Sequence, residues 1–191
     1  MKRNAFLSWS LIGATILGLP AKAVAAIRSI MRDDKGFKVD AGKDRYSNIL
    51  KPFAGDQFYC KVSGKDNDGD SYVFESTRAA EGGPILHTHF EQDEWWYVLE
   101  GDFLIKVGAI LYEAKPGDFV YGPRMVPHSF SKIGTGPGRV LIGFHPAGKM
   151  EEYFTKLSHG LAKNLSDEQR EAMRREHGFE TSGPALKVLK K

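Results

Sequence analysis

The sequence has almost no cysteine and no apolar run of membrane-spanning length. Cys60 is the single cysteine among 191 residues, so no disulfide can form within the chain and the fold must depend on an ordinary hydrophobic core. Cys60 lies in the strand-like segment QFYCKVS, where we expect a buried, inert thiol rather than a reactive one. The longest predominantly apolar run, residues 5–19, is shorter than the roughly 20 residues that a spanning helix needs.

The first 25 residues contain no acidic side chain. Lys2 and Arg3 precede the apolar run, Pro20 follows it, and the segment PAKAVAA then supplies two sites with small residues two apart. This is the layout of a secretory signal peptide. We therefore expect cleavage near Ala25 and a periplasmic or secreted protein with no stable membrane span; a retained membrane anchor and a buried helix are the alternatives.

Apart from that segment, the chain has no excess of either charge. The whole sequence has 27 Lys and Arg against 24 Asp and Glu, and residues 1–25 contribute three of the positive charges. The remaining residues balance at 24 of each sign, so the basic excess typical of nucleic-acid-binding proteins is missing. We expect a small-molecule substrate and no nucleic-acid partner.

Helical periodicity is missing from residues 57–146. Short alternating segments, separated by turn-forming stretches such as EGGP, KPGD and GTGPG, predict an antiparallel sandwich or barrel instead. The nine predicted strands are QFYCKVS, SYVFEST, PILHTHF, EWWYVLE, DFLIKVG, AILYEA, GDFVYGP, HSFSKI and RVLIGFH.

Helical signals begin only after this region. Apolar residues in GKMEEYFTKLSHGLAK follow a helical stripe, and LSDEQREAMRREHGFE contains a capping box of Ser166 and Gln169 before it reaches Gly178. We expect an N-terminal arm at residues 26–56, a barrel at 57–146, and a C-terminal extension at 147–191 whose two helices pack on the outside of the barrel.

Four residues with metal-binding side chains stand close together along the predicted strands. His87 and His89 are two apart, so they point to the same side of one strand. Glu94 begins the next strand, and His128 begins a strand one hairpin further on. Imidazoles and a carboxylate suit a divalent transition metal, and burying so many ionisable groups without an ion is costly. The spacing predicts a metal site at these four residues, with a polar strand edge as the alternative.

The same residues resemble the two motifs of the cupin family. The histidine pair, Glu94 after four residues and Gly101 after six more are similar to the first motif. Gly117, Pro123 and His128 are similar to the second, although Met125 and Lys132 stand where that motif has glycine and asparagine.

The resemblance implies an all-β fold, the double-stranded β-helix or jelly-roll barrel, here followed by two C-terminal α-helices. It implies one divalent ion held by His87, His89, Glu94 and His128, with Fe²⁺ favoured over Mn²⁺, Ni²⁺, Zn²⁺ and Cu²⁺. It also implies a homodimer. Trp95 and Tyr97 have the opposite parity to Glu94 and are expected on the outside, where an arm or a partner chain can cover them.

Strand alternation places further side chains near the ion. Most of these side chains are apolar or aromatic and predict an apolar substrate pocket, although any one of them can be an ordinary core residue. The only candidate cations in the predicted pocket are Lys132 and Arg124. We expect Glu91 and Asp93 on an exposed connection; the alternative is that one of them orients a histidine. The predicted pocket residues are Trp96, Phe103, Ile105, Tyr121, Phe130, Ile142 and Phe144.

The pocket and the resemblance together favour a mononuclear metal dioxygenase similar to the quercetin-dioxygenase-like cupins. Its substrate is expected to be a small aromatic or apolar molecule, and Glu94 is expected to serve both as ligand and as catalytic base. Two alternatives stay open. One is an oxygen-independent metal-dependent isomerase, lyase or decarboxylase, and the other is a non-catalytic exported barrel that binds a ligand or a metal.

Overall fold

Ten β-strands and two α-helices build the part of the chain that the structure, a computed structural model, describes, which is residues 35–186. The predicted signal peptide, residues 1–25, lies outside the described residues. Within residues 35–186 no helix has both the length and the apolar character needed to cross a bilayer. The elements are β1 (Asp56–Val62), β2 (Tyr72–Arg78), β3 (Leu86–His89), β4 (Asp93–Glu100), β5 (Asp102–Val107), β6 (Ile110–Ala114), β7 (Phe119–Gly122), β8 (His128–Ile133), β9 (Gly138–His145), α1 (Met150–Ser158), α2 (Asp167–Glu176) and β10 (Phe179–Gly183).

The strands form two antiparallel five-stranded sheets. Their orders are β1-β2-β9-β4-β7 and β10-β3-β8-β5-β6. From β6 onward successive strands alternate between the two sheets, so the chain winds around a shared interior. This winding is a jelly-roll barrel, and it confirms the predicted all-β fold with two C-terminal helices.

Strand β4 shows why this sequence forms a two-faced sheet. Its alternate residues Glu94, Trp96 and Val98 are buried inside the barrel, whereas Trp95 is half-buried and Tyr97 is exposed on the outside. The strand lies between β9 and β7, so both of its edges are hydrogen-bonded. A shift of one residue would turn the carboxylate outward and the wrong aromatic inward, so burial determines the register.

The turn from β4 to β5 requires glycine. Gly101 has a φ of 75°, and a Cβ added there would stand 2.7 Å from the carbonyl oxygen of Pro137. Both the left-handed backbone and the lack of space exclude a side chain. Gly101 is the glycine of the first motif, and its role is to let β5 leave β4 for the other sheet.

Helix α1 contributes to the interior, so the expectation that it packs on the outer surface is wrong. Its Phe154 ring lies 5.1 Å from the ring of Phe58 and 5.4 Å from that of Phe74, and Met150 and Tyr153 are buried beside it. Each such aromatic pair contributes about 0.5–1.5 kcal/mol beyond the area it buries. The apolar stripe of α1 therefore extends the barrel core.

Strand β10 was not predicted. It follows α2, whose capping box at Ser166 and Gln169 is present as expected, and it pairs with β3 at the edge of the second sheet. Phe179 stands opposite His89, and Thr181 stands opposite His87. The last described strand thus lies beside the two histidines of the first motif.

The segment before β1 lies along that strand and covers Cys60. The backbone N–H of Arg45 donates to the carbonyl of Cys60 (2.8 Å), and the N–H of Cys60 donates to the Asp44 carboxylate (2.6 Å). Burial, with the negative charges of Glu151, Asp44 and Asp66, raises the pKa of the Cys60 thiol to about 12. The thiol is therefore protonated and inert at neutral pH, as predicted.

Candidate metal centre

Two strands of one sheet and one of the other bring the four predicted donors together. His87 and His89 lie on β3, His128 begins β8 directly opposite His87, and Glu94 reaches across from β4 in the facing sheet. All four side chains are buried. Their ligand atoms lie within 4.8 Å of one another, so within residues 35–186 they form a cluster with the size of a single-ion site.

One carboxylate oxygen is close to all three imidazoles. Oε2 of Glu94 lies 3.1 Å from Nε2 of His128, 3.3 Å from Nε2 of His89 and 3.4 Å from Nε2 of His87. Two donors bound at right angles to one ion, each about 2.1 Å away, stand about 3.0 Å apart. The spacing in the protein matches neighbouring ligands of a common ion.

The other ring nitrogens establish which protons the histidines carry. Nδ1 of His87 lies 2.8 Å from the carbonyl oxygen of Ile85, and Nδ1 of His128 lies 2.9 Å from that of Val126. A carbonyl only accepts, so each Nδ1–H donates, and in the neutral ring Nε2 then carries a lone pair directed at Glu94. Lone pairs facing a carboxylate repel it unless a cation lies between them.

His89 gives the clearest sign that a group belongs in the centre. Both of its ring nitrogens are buried without a hydrogen-bond partner, although Nε2 is close to Glu94. Burial, with the neighbouring histidines, lowers the pKa of His89 from 6.5 to about 4, so the ring is neutral at pH 7. A neutral imidazole with an unused buried lone pair is a ready metal ligand, and leaving it unpaired is destabilising.

The charge state of Glu94 complements these rings. Burial alone would raise the pKa of its carboxyl group, but the three surrounding imidazoles, that of His128 most strongly, outweigh burial and hold the pKa well below its usual range. Three neutral imidazoles and one carboxylate carry a single negative charge, which a divalent cation more than neutralises. The residues present therefore fit one divalent metal ion of the borderline class.

An ion pair on the outside connects the two segments that carry Glu94 and His128. Asp93 accepts from the backbone N–H and Nε of Arg124 (2.8 and 3.0 Å) and from its Nη2 (2.7 Å). The Arg124 guanidinium holds the pKa of the Asp93 carboxyl well below its usual range. Asp93 thus positions the loop before β8 and does not orient a histidine.

The loop before His128 keeps a left-handed residue where the motif has glycine. Met125 has a φ of 62°, and its N–H donates to the carbonyl of His89 (2.8 Å). A side chain in this conformation costs about 1–2 kcal/mol. The hydrogen bond and the Asp93–Arg124 pair hold the backbone in this shape, so the departure from glycine leaves His128 in place.

A cavity of about 270 Å³ opens beside the donors. His87 and Glu94 are in its wall, and most of the remaining wall is apolar and aromatic. The volume is at the lower end of the range for small-molecule pockets, about 300–1,000 Å³. The apolar residues that line the cavity and lie outside the first motif include Phe58, Phe74, Phe130, Ile142, Phe144, Met150, Tyr153, Phe154 and Phe179.

The predicted pocket residues fall into three groups. Phe130, Ile142 and Phe144 line the cavity. Trp96, Phe103 and Ile105 are buried core residues that do not line it.

Tyr121, the remaining predicted pocket residue, is on the outside of the barrel, 51% exposed. Because Trp96 pairs with Val120 and Glu94 with Gly122, the even-numbered residues of β7 face inward and the odd-numbered Phe119 and Tyr121 face outward. The prediction turned Tyr121 inward, and the pairing of β7 with β4 shows the opposite orientation.

The cationic side chains that line the cavity differ from the two that were predicted from the sequence. Lys132 is buried but packs against Gly138 and donates to the carbonyl of Gly134, away from the cavity wall, and Arg124 is on the outside. Arg78 and Arg174 line the cavity instead. Arg78 ends β2, one residue beyond the predicted strand SYVFEST, and Arg174 comes from a helix that was expected on the surface.

Comparison with known proteins agrees with this site. The family model described as the cupin domain matches residues 73–144, a span that contains all four donors. The matched part of the barrel, residues 73–144, is a cupin domain. Cupin barrels enclose their ligand sites, and the cavity beside the donors of this cupin is suited to a small molecule.

Individual relatives of this cupin are distant. An uncharacterized protein of Methanocaldococcus jannaschii is 34% identical over 68 residues, which are 36% of this chain, and the chain spans only 54% of that relative. Among solved structures, KdgF from Halomonas sp. is 19% identical with a TM-score of 0.46, covering 55% of this chain and 92% of that one. An RmlC-like cupin from Shewanella frigidimarina is 18% identical with a TM-score of 0.48, covering 63% and 99% respectively.

The metal-free protein is expected to lose stability in mild acid. Because folding lowers the pKa of His89 from 6.5 to about 4 and also lowers that of Glu94, the unfolded chain binds protons that the folded chain does not. The stabilisation that comes from keeping His89 unprotonated is fully present above pH 6.5 and is lost as the pH falls toward 4. The free energy of unfolding should fall by on the order of 3 kcal/mol over that range. Urea unfolding of chelator-treated protein between pH 4.5 and 7.5 measures it. His89→Gln should flatten the profile, and an unchanged slope in that variant would contradict the assignment.

Proposed function

We propose that this cupin is a mononuclear metal-dependent dioxygenase acting on a small aromatic or apolar substrate. The observation that supports the proposal is the shared cavity: His87 and Glu94 of the donor cluster line the same apolar cavity as phenylalanines of five strands and one helix. A substrate in that cavity touches the centre directly, and the surrounding rings exclude water from it.

The residues have distinct roles in this proposal. His87, His89, His128 and Glu94 hold the ion, and carbonyls of Ile85 and Val126 orient two of the three imidazoles. A divalent transition metal bound there supplies Lewis acidity toward a substrate oxygen and, if it is redox-active, reactivity with dioxygen.

Glu94 also serves as the base in this proposal. Its carboxylate lines the cavity, so it is placed to take a proton from a substrate hydroxyl. Phe144 and Phe179 pack on the ring of His89, at 5.2 and 5.1 Å between ring centroids, and keep that ligand fixed while the proton moves.

Oxygen uptake tests the proposal. Metal-free protein is reconstituted under argon with Fe²⁺, Mn²⁺ or Ni²⁺ and then supplied with oxygen and a panel of flavonols, catechols and thiols. We expect uptake that depends on substrate and metal and that is absent in Glu94→Gln. No uptake with any of the metals would overturn the proposal.

The same samples separate the alternatives. Product formed under argon supports an oxygen-independent isomerase, lyase or decarboxylase. Tight binding of a compound without product, for every metal, supports a non-catalytic ligand-binding barrel. Both results count against a dioxygenase.

We also propose that the protein is exported and acts as a homodimer. Export is supported by the layout of residues 1–25, and N-terminal sequencing of protein recovered from the periplasm or medium should begin close to Ala26. A dimer is supported by the exposed aromatic side chains of Tyr97, Phe119 and Tyr121 on the outer face of β4 and β7. Light scattering at micromolar concentration should give twice the chain mass, and a monomer would remove the dimer from the proposal.

A further inference from the structure

Arg78 carries a charge into the cavity that contains the metal donors. It is the last residue of β2, between β1 and β9, and its side chain is 10% exposed. The guanidinium carbon stands 5.2 Å from the ring centroid of Phe130, another cavity residue. Arg78, His87 and Glu94 all line this cavity of about 270 Å³, so a ligand that fills it has both the guanidinium and two of the donors around it.

The hydrogen bonding of Arg78 is incomplete. Its Nη2 lies 3.0 Å from Oδ2 of Asp56, but its Nε is buried without an acceptor. The Nε–H groups of Arg124 and Arg139, by contrast, donate to carboxylates at 3.0 and 2.8 Å. Arg45 also has a buried Nε without a partner, yet it is outside the cavity. Among the cavity residues, Arg78 thus presents a charged N–H that lacks the acceptor such a group requires.

The charges around the cavity favour an anion. Asp56 balances Arg78, and Glu171 balances Arg174 at 3.1 Å. With a divalent ion on three neutral imidazoles and the Glu94 carboxylate, the net charge of the site is +1. A ligand with one negative charge makes the site neutral, whereas a dianion would again leave an unbalanced charge inside the protein.

The rest of the cavity is suited to an apolar body. Apart from the two arginines and the donors, its walls are dominated by aromatic rings, and its volume of about 270 Å³ limits the ligand to a small molecule. We propose that the substrate is an aromatic monocarboxylic acid and that the Arg78 guanidinium binds its carboxylate. This inference depends on the proposed function for the role of the ligand as substrate, while the carboxylate site itself is a property of Arg78.

Pairs of acids and amides test the carboxylate site. Benzoate and phenylacetate are compared with benzamide and phenylacetamide by calorimetric titration, because each amide has the shape of its acid without the charge. In the wild-type protein at least one acid should bind about 10–100-fold more tightly than its amide, the range for a hydrogen bond to a charged group. If neither acid binds better than its amide, the inference is overturned.

A double variant keeps the test independent of folding. Arg78→Met alone leaves the buried Asp56 carboxylate unpaired, so Arg78→Met is combined with Asp56→Asn, which removes both charges. The acid preference should fall to within about 2-fold in the double variant and remain in Arg139→Met, a control outside the cavity. A preference that survives in the double variant contradicts the role of Arg78.

The metal state distinguishes this inference from the proposed function. Titrations are made with chelator-treated protein and with protein loaded with redox-inert Zn²⁺. The acid preference should be greatest with Zn²⁺ bound, because the ion supplies the positive charge of the site, and it should depend on Arg78 in that state; a preference in the Zn²⁺ protein that the double variant keeps would place the carboxylate on the ion and overturn the inference. An acid preference combined with no oxygen uptake would overturn the dioxygenase and leave the carboxylate site standing.

Discussion

Glu94→Gln is expected to abolish stoichiometric metal binding. The amide is nearly the same size as the carboxylate, so the packing is preserved, but the negative charge that faces three Nε2 atoms within 3.4 Å is removed. Replacing a group that only supports a ligand typically weakens metal affinity 10–100-fold, so loss of a charged ligand should exceed about 100-fold. Elemental analysis after dialysis against a weak chelator should give close to one ion per wild-type chain and less than about 0.1 per variant chain.

His159→Ala is the matched control for this experiment. His159 is exposed at the end of α1 and does not belong to the donor cluster, so its removal should leave the metal content unchanged. Equal metal in wild type and Glu94→Gln would show that the cluster is not the metal site. The circular dichroism spectrum of each variant establishes that the barrel has folded.

Phe179→Ala is expected to lower the free energy of unfolding by about 3–5 kcal/mol. Phe179 is 5% exposed, and its ring centroid lies 4.9 Å from that of Tyr153, 5.1 Å from that of His89 and 5.7 Å from that of His87. Truncation leaves a cavity between β3, β10 and α1 that the surrounding strands cannot fill. Denaturant unfolding of the metal-free protein measures the loss.

Phe37→Ala provides the comparison for the same chemical change at the surface. Phe37 is 43% exposed, and its main contact is with the Arg45 guanidinium, 3.8 Å from the ring centroid. An exposed contact of this kind contributes about 0.5–1 kcal/mol. Similar losses in the two variants would mean that β10 is not packed on the histidines in solution.

Strand alternation was sufficient to place the donors but not to assign every wall of the cavity. His87 and His89 share a face in any strand, and the buried position of Trp96 and Val98 determines the register that turns Glu94 inward. The nine predicted strands and the two helices therefore correspond to elements of the structure. Alternation does not determine which face of a short strand points into the barrel. For that reason Tyr121 was predicted to lie inside the barrel, whereas it lies on the outside.

The other features that the sequence did not predict depend on contacts between residues that are distant in sequence. FETSG, the sequence of β10, is short, contains glycine and has no apolar alternation, and it becomes a strand because the edge of β3 offers hydrogen-bond partners. Arg78 was not among the predicted pocket residues, because its contacts are with Asp56 and Phe130, which are distant from it in sequence. A stripe of apolar residues likewise predicts that α1 packs on something, without saying on which surface.

The position of β10 also has a kinetic consequence. It is an edge strand, paired with β3 on one side and joined to α2 by hydrogen bonds from Thr181 to the Glu171 carboxylate, and it lies beside two of the three histidines. Peripheral strands open with a smaller free energy than the whole domain. Local opening of these five residues would uncover His87 and His89 while the rest of the barrel stays folded, so access to the donors does not require global unfolding.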